Sequence, residues 1–127
     1  MKKLIYVILC VLPLLISCDK DSDKKSSEYY VRYEMSATTQ YVSTNRTISV
    51  STESGTKEFA INYNSFSETF GPVDKGFTAN MTVNYTTSGS NTTTLKIYVA
   101  RGEEPFALKE TKTSGGSTVT TSYTIDF

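Results

Sequence analysis

The chain has 127 residues, too few for two sizeable cores, and its 13 basic side chains balance 13 acidic ones. That balance leaves no basic surplus to grip nucleic acid and no acidic surplus of the disordered kind. With no His, no Trp and only Cys10 and Cys18 as thiols, the commonest general base and any Cys/His metal cluster are missing.

A short basic start, Met1 to Lys3, leads into a run from Leu4 to Ile16 that is apolar but for Pro13. As a helix this run covers roughly 20 Å, against a hydrocarbon core of about 30 Å, so it reads as a cleaved signal peptide and not as a permanent span. The tetrapeptide Leu15-Ile16-Ser17-Cys18 resembles the bacterial lipobox. The resemblance implies that the Cys18 sulfur receives a diacylglycerol, that residues 1–17 are removed, and that Cys18 becomes the acylated first residue. Cys10 leaves with the signal, so no internal disulfide is possible. An ordinary secretory signal with a chance cysteine is the alternative.

Residues 19–28, Asp-Lys-Asp-Ser-Asp-Lys-Lys-Ser-Ser-Glu, contain nothing apolar and predict a solvated, disordered tether over 18–28. An acidic, Lys-containing run directly after such a cysteine resembles the export tags of Bacteroidota surface lipoproteins, which implies display from the outer membrane on the cell surface. The Asp19, Asp21, Asp23 alternation suggests a calcium loop. Lys24 at its sixth position and Tyr30 at its twelfth argue against one.

From residue 29 to 127 the apolar positions alternate with period two, the signature of half-buried strands. Val31, Tyr33 and Met35 make the first run, Ile48 and Val50 the second, and Phe59, Ile61 and Tyr63 the third. The longest is Phe77, Ala79, Met81, Val83 and Tyr85. Leu95, Ile97 and Val99 follow, then a short run over Phe106 to Glu110, and finally Val119 to Phe127; Phe66 to Phe70 adds a short edge strand. Turn chemistry separates the runs, as at Glu53-Ser54-Gly55-Thr56, Gly71-Pro72, Asp74-Lys75-Gly76 and Ser114-Gly115-Gly116. About seven strands, without a helix after the signal, predict an all-β, immunoglobulin-like antiparallel β-sandwich, with a closed barrel as the alternative. The expected core is Tyr33, Phe59, Ile61, Met81, Val83, Ile97, Val99, Tyr123 and Ile125.

Two fragments, Ser54-Gly55-Thr56-Lys57 and Lys112-Thr113-Ser114-Gly115, match pieces of penicillin-recognising enzymes. Both fall at expected hairpin turns, whereas that chemistry needs its Ser at the start of a buried helix. No Ser has a His to activate it, and Glu103 and Glu104 are neighbours in a Gly/Pro turn whose side chains diverge. The expectation is therefore a non-enzyme without metal or cofactor. Tyr30 and Tyr98 lie on the polar phase of their strands and are the candidate ligand-binding residues, able to stack on a sugar or anchor a protein partner; solvated strand positions are the plainer alternative.

The run Tyr30-Val31-Arg32-Tyr33-Glu34-Met35, with Lys96-Ile97-Tyr98-Val99 and Lys109-Glu110-Thr111-Lys112-Thr113-Ser114-Gly115, resembles small Bacteroidota lipoproteins and, more distantly, the mycobacterial membrane protein small family. That second resemblance implies a β-sandwich on a membrane anchor that assists an envelope transporter. The expected function is a lipid-anchored, monomeric binding module at the cell envelope, presenting polar tips such as Ser88 to Asn91 and Gly102 to Pro105 to a glycan or protein. Edge strands could still support weak dimers. An accessory subunit of a transporter complex is the alternative.

Overall fold

The computed structural model describes residues 27–39, 45–86 and 91–127. The signal peptide, Cys18, the Asp19–Asp23 alternation and most of the tether lie outside these residues, as do Ser88, Gly89 and Ser90. The described residues form eight strands: β1 (Tyr29–Thr39), β2 (Arg46–Thr52), β3 (Gly55–Ile61), β4 (Ser65–Val73), β5 (Thr78–Tyr85), β6 (Asn91–Arg101), β7 (Ala107–Gly115) and β8 (Thr118–Thr124). They build two four-stranded sheets, ordered β4-β1-β6-β7 and β3-β2-β5-β8, with every pairing antiparallel. The expected all-β sandwich is thus the observed one. The short run at Phe66 to Phe70 extends into β4, an edge strand, and raises the count from about seven to eight.

Alternation explains the layers. In β2 every second residue from Arg46 to Thr52 is buried, and in β5 Ala79, Met81, Val83 and Tyr85 point inward. Burying a Val, Ile or Met side chain contributes about 1.5–3 kcal/mol, so one inward face per sheet is the only arrangement that keeps this apolar surface dry. Of the expected core residues, Tyr33, Met81, Val83, Ile97, Val99 and Ile125 are buried. Phe59, Ile61 and Tyr123 are only half-buried against that core, because β3 and β8 are edge strands and their inward side chains are open on one flank.

The strand order departs from the constant-type immunoglobulin one, in which the first strand lies beside the second and the third beside the sixth. Here β1 lies beside β6 and β3 beside β2. The cause is local. Only Glu53 and Ser54 separate β2 from β3, too short a link to cross about 10 Å to the other sheet. The Thr52 hydroxyl accepts from the Ser54 N–H (3.2 Å) and donates to the Gly55 carbonyl (2.6 Å), and Gly55 takes φ 109°, so the chain reverses within its own sheet.

Both ends of the folded domain meet at one end of the sandwich. The Glu28 carbonyl accepts from the Gly102 N–H (2.8 Å), the Tyr29 hydroxyl donates to the Phe127 carbonyl, and the Tyr29 and Phe127 rings meet edge-on at 5.5 Å. Arg101 and Lys109 flank the Phe127 ring at 5.1 and 3.9 Å. At this end β4 passes so close to β1 that position 71 admits only glycine. A Cβ there would lie 2.8 Å from both the Tyr29 carbonyl oxygen and Tyr30 Cδ1, and φ is +143°. Gly71→Ala should therefore cost about 2–4 kcal/mol, from backbone strain plus overpacking, read as a lowered midpoint in urea at unchanged slope.

Candidate functional site

The outer face of the β4-β1-β6-β7 sheet collects the chemistry. Inward Val31, Tyr33 and Met35 turn Tyr30, Arg32, Glu34 and Ser36 outward, and inward Leu95, Ile97 and Val99 do the same for Thr94, Lys96 and Tyr98. The register sets Arg32 opposite Tyr98, Glu34 opposite Lys96 and Ser36 opposite Thr94, with Tyr30 opposite Ala100. Tyr30 and Tyr98 therefore share one face as diagonal neighbours. Both are half-buried.

Arg32 organises this strip. Its guanidinium carbon lies 4.4 Å from the Tyr98 ring centroid and 4.7 Å from that of Phe106, so the cation is held between two aromatic rings. Its Nε is 3.1 Å from Glu34 Oε2, an ion pair between side chains about one-third exposed. Such a pair contributes at most about 1 kcal/mol, and each aromatic contact about 0.5–1 kcal/mol. The two rings set the direction of Arg32; its contact to Glu34 is electrostatic, since Nε makes no hydrogen bond. Phe106 reaches the strip because the β6–β7 loop folds back: Gly102 adopts φ 58° and the Glu104 N–H donates to the Arg101 carbonyl (3.0 Å). One plane of Tyr98 is thus occupied by Arg32, while Tyr30 rests against Gly71.

Beside the strip a groove of about 350 Å³ opens between β4, β1 and β6, framed by Glu34, Ser36, Ser65, Ser67, Thr94 and Lys96. Met35 and Phe66 complete its lining; it presents an anion, a cation and the hydroxyls of Ser36, Ser65 and Ser67, donors and acceptors suited to a hydroxyl-rich ligand, while the Thr94 hydroxyl pairs with that of Thr113 at 3.0 Å. The outer face of the other sheet carries more such pairs. There the hydroxyls satisfy one another across strands, Thr78 with Thr124 at 2.8 Å and Thr82 with Thr120 at 3.1 Å, and Thr118 donates to Asn84 Oδ1 at 2.8 Å.

The two serine fragments are not brought together. Ser54 sits in the β2–β3 turn at the end of the sandwich that holds Glu28. Ser114 lies near the opposite end, still within β7 and not in a turn. Lys57 lies over the Phe59 and Phe70 rings at 5.4 and 5.7 Å. Glu103 and Glu104 are exposed beside Gly102, and among the described residues no three acidic or thiol side chains converge on a common point. The two polar tips are also far apart: Gly102 to Pro105 lies at the Glu28 end, and Asn91 opens β6 at the other.

Three residues of note were not singled out from sequence. Arg32 and Phe106 join the strip through a register and a loop fold that no local pattern encodes. Arg46, only 1% exposed, shares the inward phase of Ile48 and Val50; its Nη2 donates to Asn64 Oδ1 at 3.1 Å and its guanidinium carbon lies 5.1 Å from the Tyr85 centroid. A charge on that phase was the available signal. Comparison with protein-family models, with curated proteins and with solved structures finds no match to this chain, so the reading of the site rests on its own geometry.

Proposed function

We propose that this protein is a membrane-anchored lipoprotein that displays a non-catalytic β-sandwich as a binding module at the cell envelope, with a glycan as the favoured ligand class. The observation that carries the reading is the strip of Tyr30, Arg32, Tyr98 and Phe106 continuous with the polar groove at Glu34 and Lys96. Aromatic edges beside fixed ionic and hydroxyl groups bind polyhydroxylated surfaces by combined apolar contact and hydrogen bonding. The tether joins at Glu28, beside the Tyr30 and Phe106 end of the strip, so the opposite end of the sandwich is the part directed away from the anchor. The described loop residues of that opposite end, Asn45, Asn62, Tyr63, Asn64, Thr86, Gly116 and Ser117, carry no charge, and Tyr63 is 68% exposed.

The test is retention of glycans from the native envelope or host surface on the immobilised protein. Replacing both Glu34 and Lys96 by Ala should weaken retention about ten-fold, equivalent to about 1.4 kcal/mol, with stability lowered by no more than the roughly 1 kcal/mol of the Arg32–Glu34 pair. Retention that is indifferent to both substitutions rules this site out. A transporter recovered in stoichiometric amount from native membranes, in place of a glycan, would favour the accessory-subunit reading.

A further inference from the structure

Four strands form the edges of this sandwich, and three carry devices that discourage pairing with another chain. β3 exposes Lys57 and Glu58. β4 carries Glu68 and the Gly71-Pro72 pair, and its register with β1 shifts between Tyr29 and Val31. β7 presents Lys109, Glu110 and Lys112, with a register shift against β6 at Ile97/Tyr98. β8 has none of these. It reads Thr-Val-Thr-Thr-Ser-Tyr-Thr, uncharged and without proline, and pairs with β5 in unbroken register from Thr78–Thr124 to Asn84–Thr118.

The hydrogen-bonding phase of β8 is fixed by its two ends. Ser117 accepts from the Tyr85 N–H (2.9 Å) and the Ile125 N–H donates to Phe77 (3.0 Å), so the odd-numbered residues turn their backbone groups toward β5. Thr118, Thr120, Ser122 and Thr124 then direct their N–H and C=O groups to the free edge, and all four are exposed. We infer that β8 is a homodimerisation edge, pairing antiparallel with β8 of a second copy about a two-fold axis at Thr121. In that register Thr118 meets Thr124, Thr120 meets Ser122, Val119 meets Tyr123, and Thr121 meets itself.

The backbone phase of β8 agrees with this partner, while the Thr118, Thr120 and Thr124 hydroxyls keep their hydrogen bonds to β5. The residues whose backbone groups point outward become the hydrogen-bonded pairs, giving about eight hydrogen bonds, and Thr121 becomes a non-hydrogen-bonded pair. Side chains match by face: hydroxyls meet hydroxyls outside, and the β-branched Val119 meets aromatic Tyr123 inside. No like charges are opposed. The charged β7, on the same flank in the other sheet, restricts the pairing to β8. A single seven-residue strand makes a small contact, below the roughly 1,200 Å² of a stable complex, so the dimer forms at high local concentration. It leaves the Tyr30–Tyr98 face open and does not depend on any ligand.

The test is disulfide trapping of the full chain in intact cells. Paired Thr121 backbones lie about 4.5 Å apart, within the span of a disulfide. Thr121→Cys should give a reducible band at twice the monomer mass. The parent chain, with its own cysteines, and Thr56→Cys on the opposite flank should not. Adding Ser122→Pro removes only an outward N–H and should abolish the band; Ser122→Lys, gentler on the backbone, should reduce it, with the unfolding midpoint of each variant measured in parallel. Absence of the band in well-folded Thr121→Cys, equal trapping at Thr56→Cys, or a band insensitive to both Ser122 variants would overturn the inference.

Discussion

Cys18→Ala should move the protein from the membrane fraction to the soluble fraction and abolish its labelling by a fatty-acid probe. The expectation comes from the lipobox-like Leu15-Ile16-Ser17-Cys18 and the apolar-free run behind it. The size of the effect follows from the anchor's physics. Each buried acyl methylene contributes about 0.8 kcal/mol, so two or more chains hold durably where one chain exchanges. Among the described residues, no helix is long and apolar enough to cross a membrane. A Cys18→Ala protein still in the membrane and still labelled would end the lipoprotein proposal. One that remains in the membrane unlabelled would point to an uncleaved Leu4–Ile16 segment as the anchor.

Tyr33→Ala should destabilise the domain by about 3–5 kcal/mol, a large part of the roughly 5–15 kcal/mol that a domain of this size has in hand. Tyr33 is fully buried, its hydroxyl donates to the Ser51 carbonyl of the opposite sheet at 2.7 Å, and its ring lies 6.2 Å from that of Phe70. Truncation leaves a cavity and strips a partner from Ser51. Tyr33→Phe removes only the hydrogen bond and should cost about 1–2 kcal/mol. The pair of variants, measured by urea unfolding, separates packing from the hydroxyl contact.

The same residue predicts alkaline sensitivity. Burial pushes the Tyr33 hydroxyl well above its ordinary value of about 10. Between the ordinary and the raised value the unfolded chain releases a proton that the folded one retains, so stability falls as pH rises past 10, by about 1.4 kcal/mol per unit. Tyr123 adds to the loss. Its hydroxyl is raised by burial first, then by its 3.1 Å hydrogen bond to Asp126 and that carboxylate's charge. Tyr33→Phe should flatten most of the decline above pH 10 while leaving the midpoint nearly constant between pH 7 and 9. A decline unchanged in Tyr33→Phe would show that the alkaline loss arises from groups other than Tyr33.

Local pattern was enough for the strands. Alternation over Val31 to Met35, Ala79 to Tyr85 and Leu95 to Val99 is a period-two signal, and burying one face per strand allows little besides two stacked sheets. Turn residues marked the breaks for the same reason: the chain reverses where Gly55, Gly76 and Gly102 accept positive φ. The candidate Tyr30 and Tyr98 were legible as outward positions, because phase along a strand decides facing.

Register, strand order and loop course were decided by tertiary structure, because they depend on which distant strands meet. Sequence alone placed Tyr30 and Tyr98 in separate strands; only the β1–β6 register puts them on one face with Arg32 between Tyr98 and Phe106. The two-residue β2–β3 turn, visible in sequence as a turn, became decisive for topology only through its length relative to the sheet separation. Ser88 to Asn91 and Gly102 to Pro105 look equivalent as polar tips, yet the antiparallel course of β6 places Asn91 and Gly102 at opposite ends of the sandwich. The inward Arg46 belongs with these. A strand pattern fixes its direction, and only the tertiary fold brings the Tyr85 ring and the Asn64 amide oxygen to its guanidinium, whose Nε and Nη1 have no hydrogen-bond partner among the described residues.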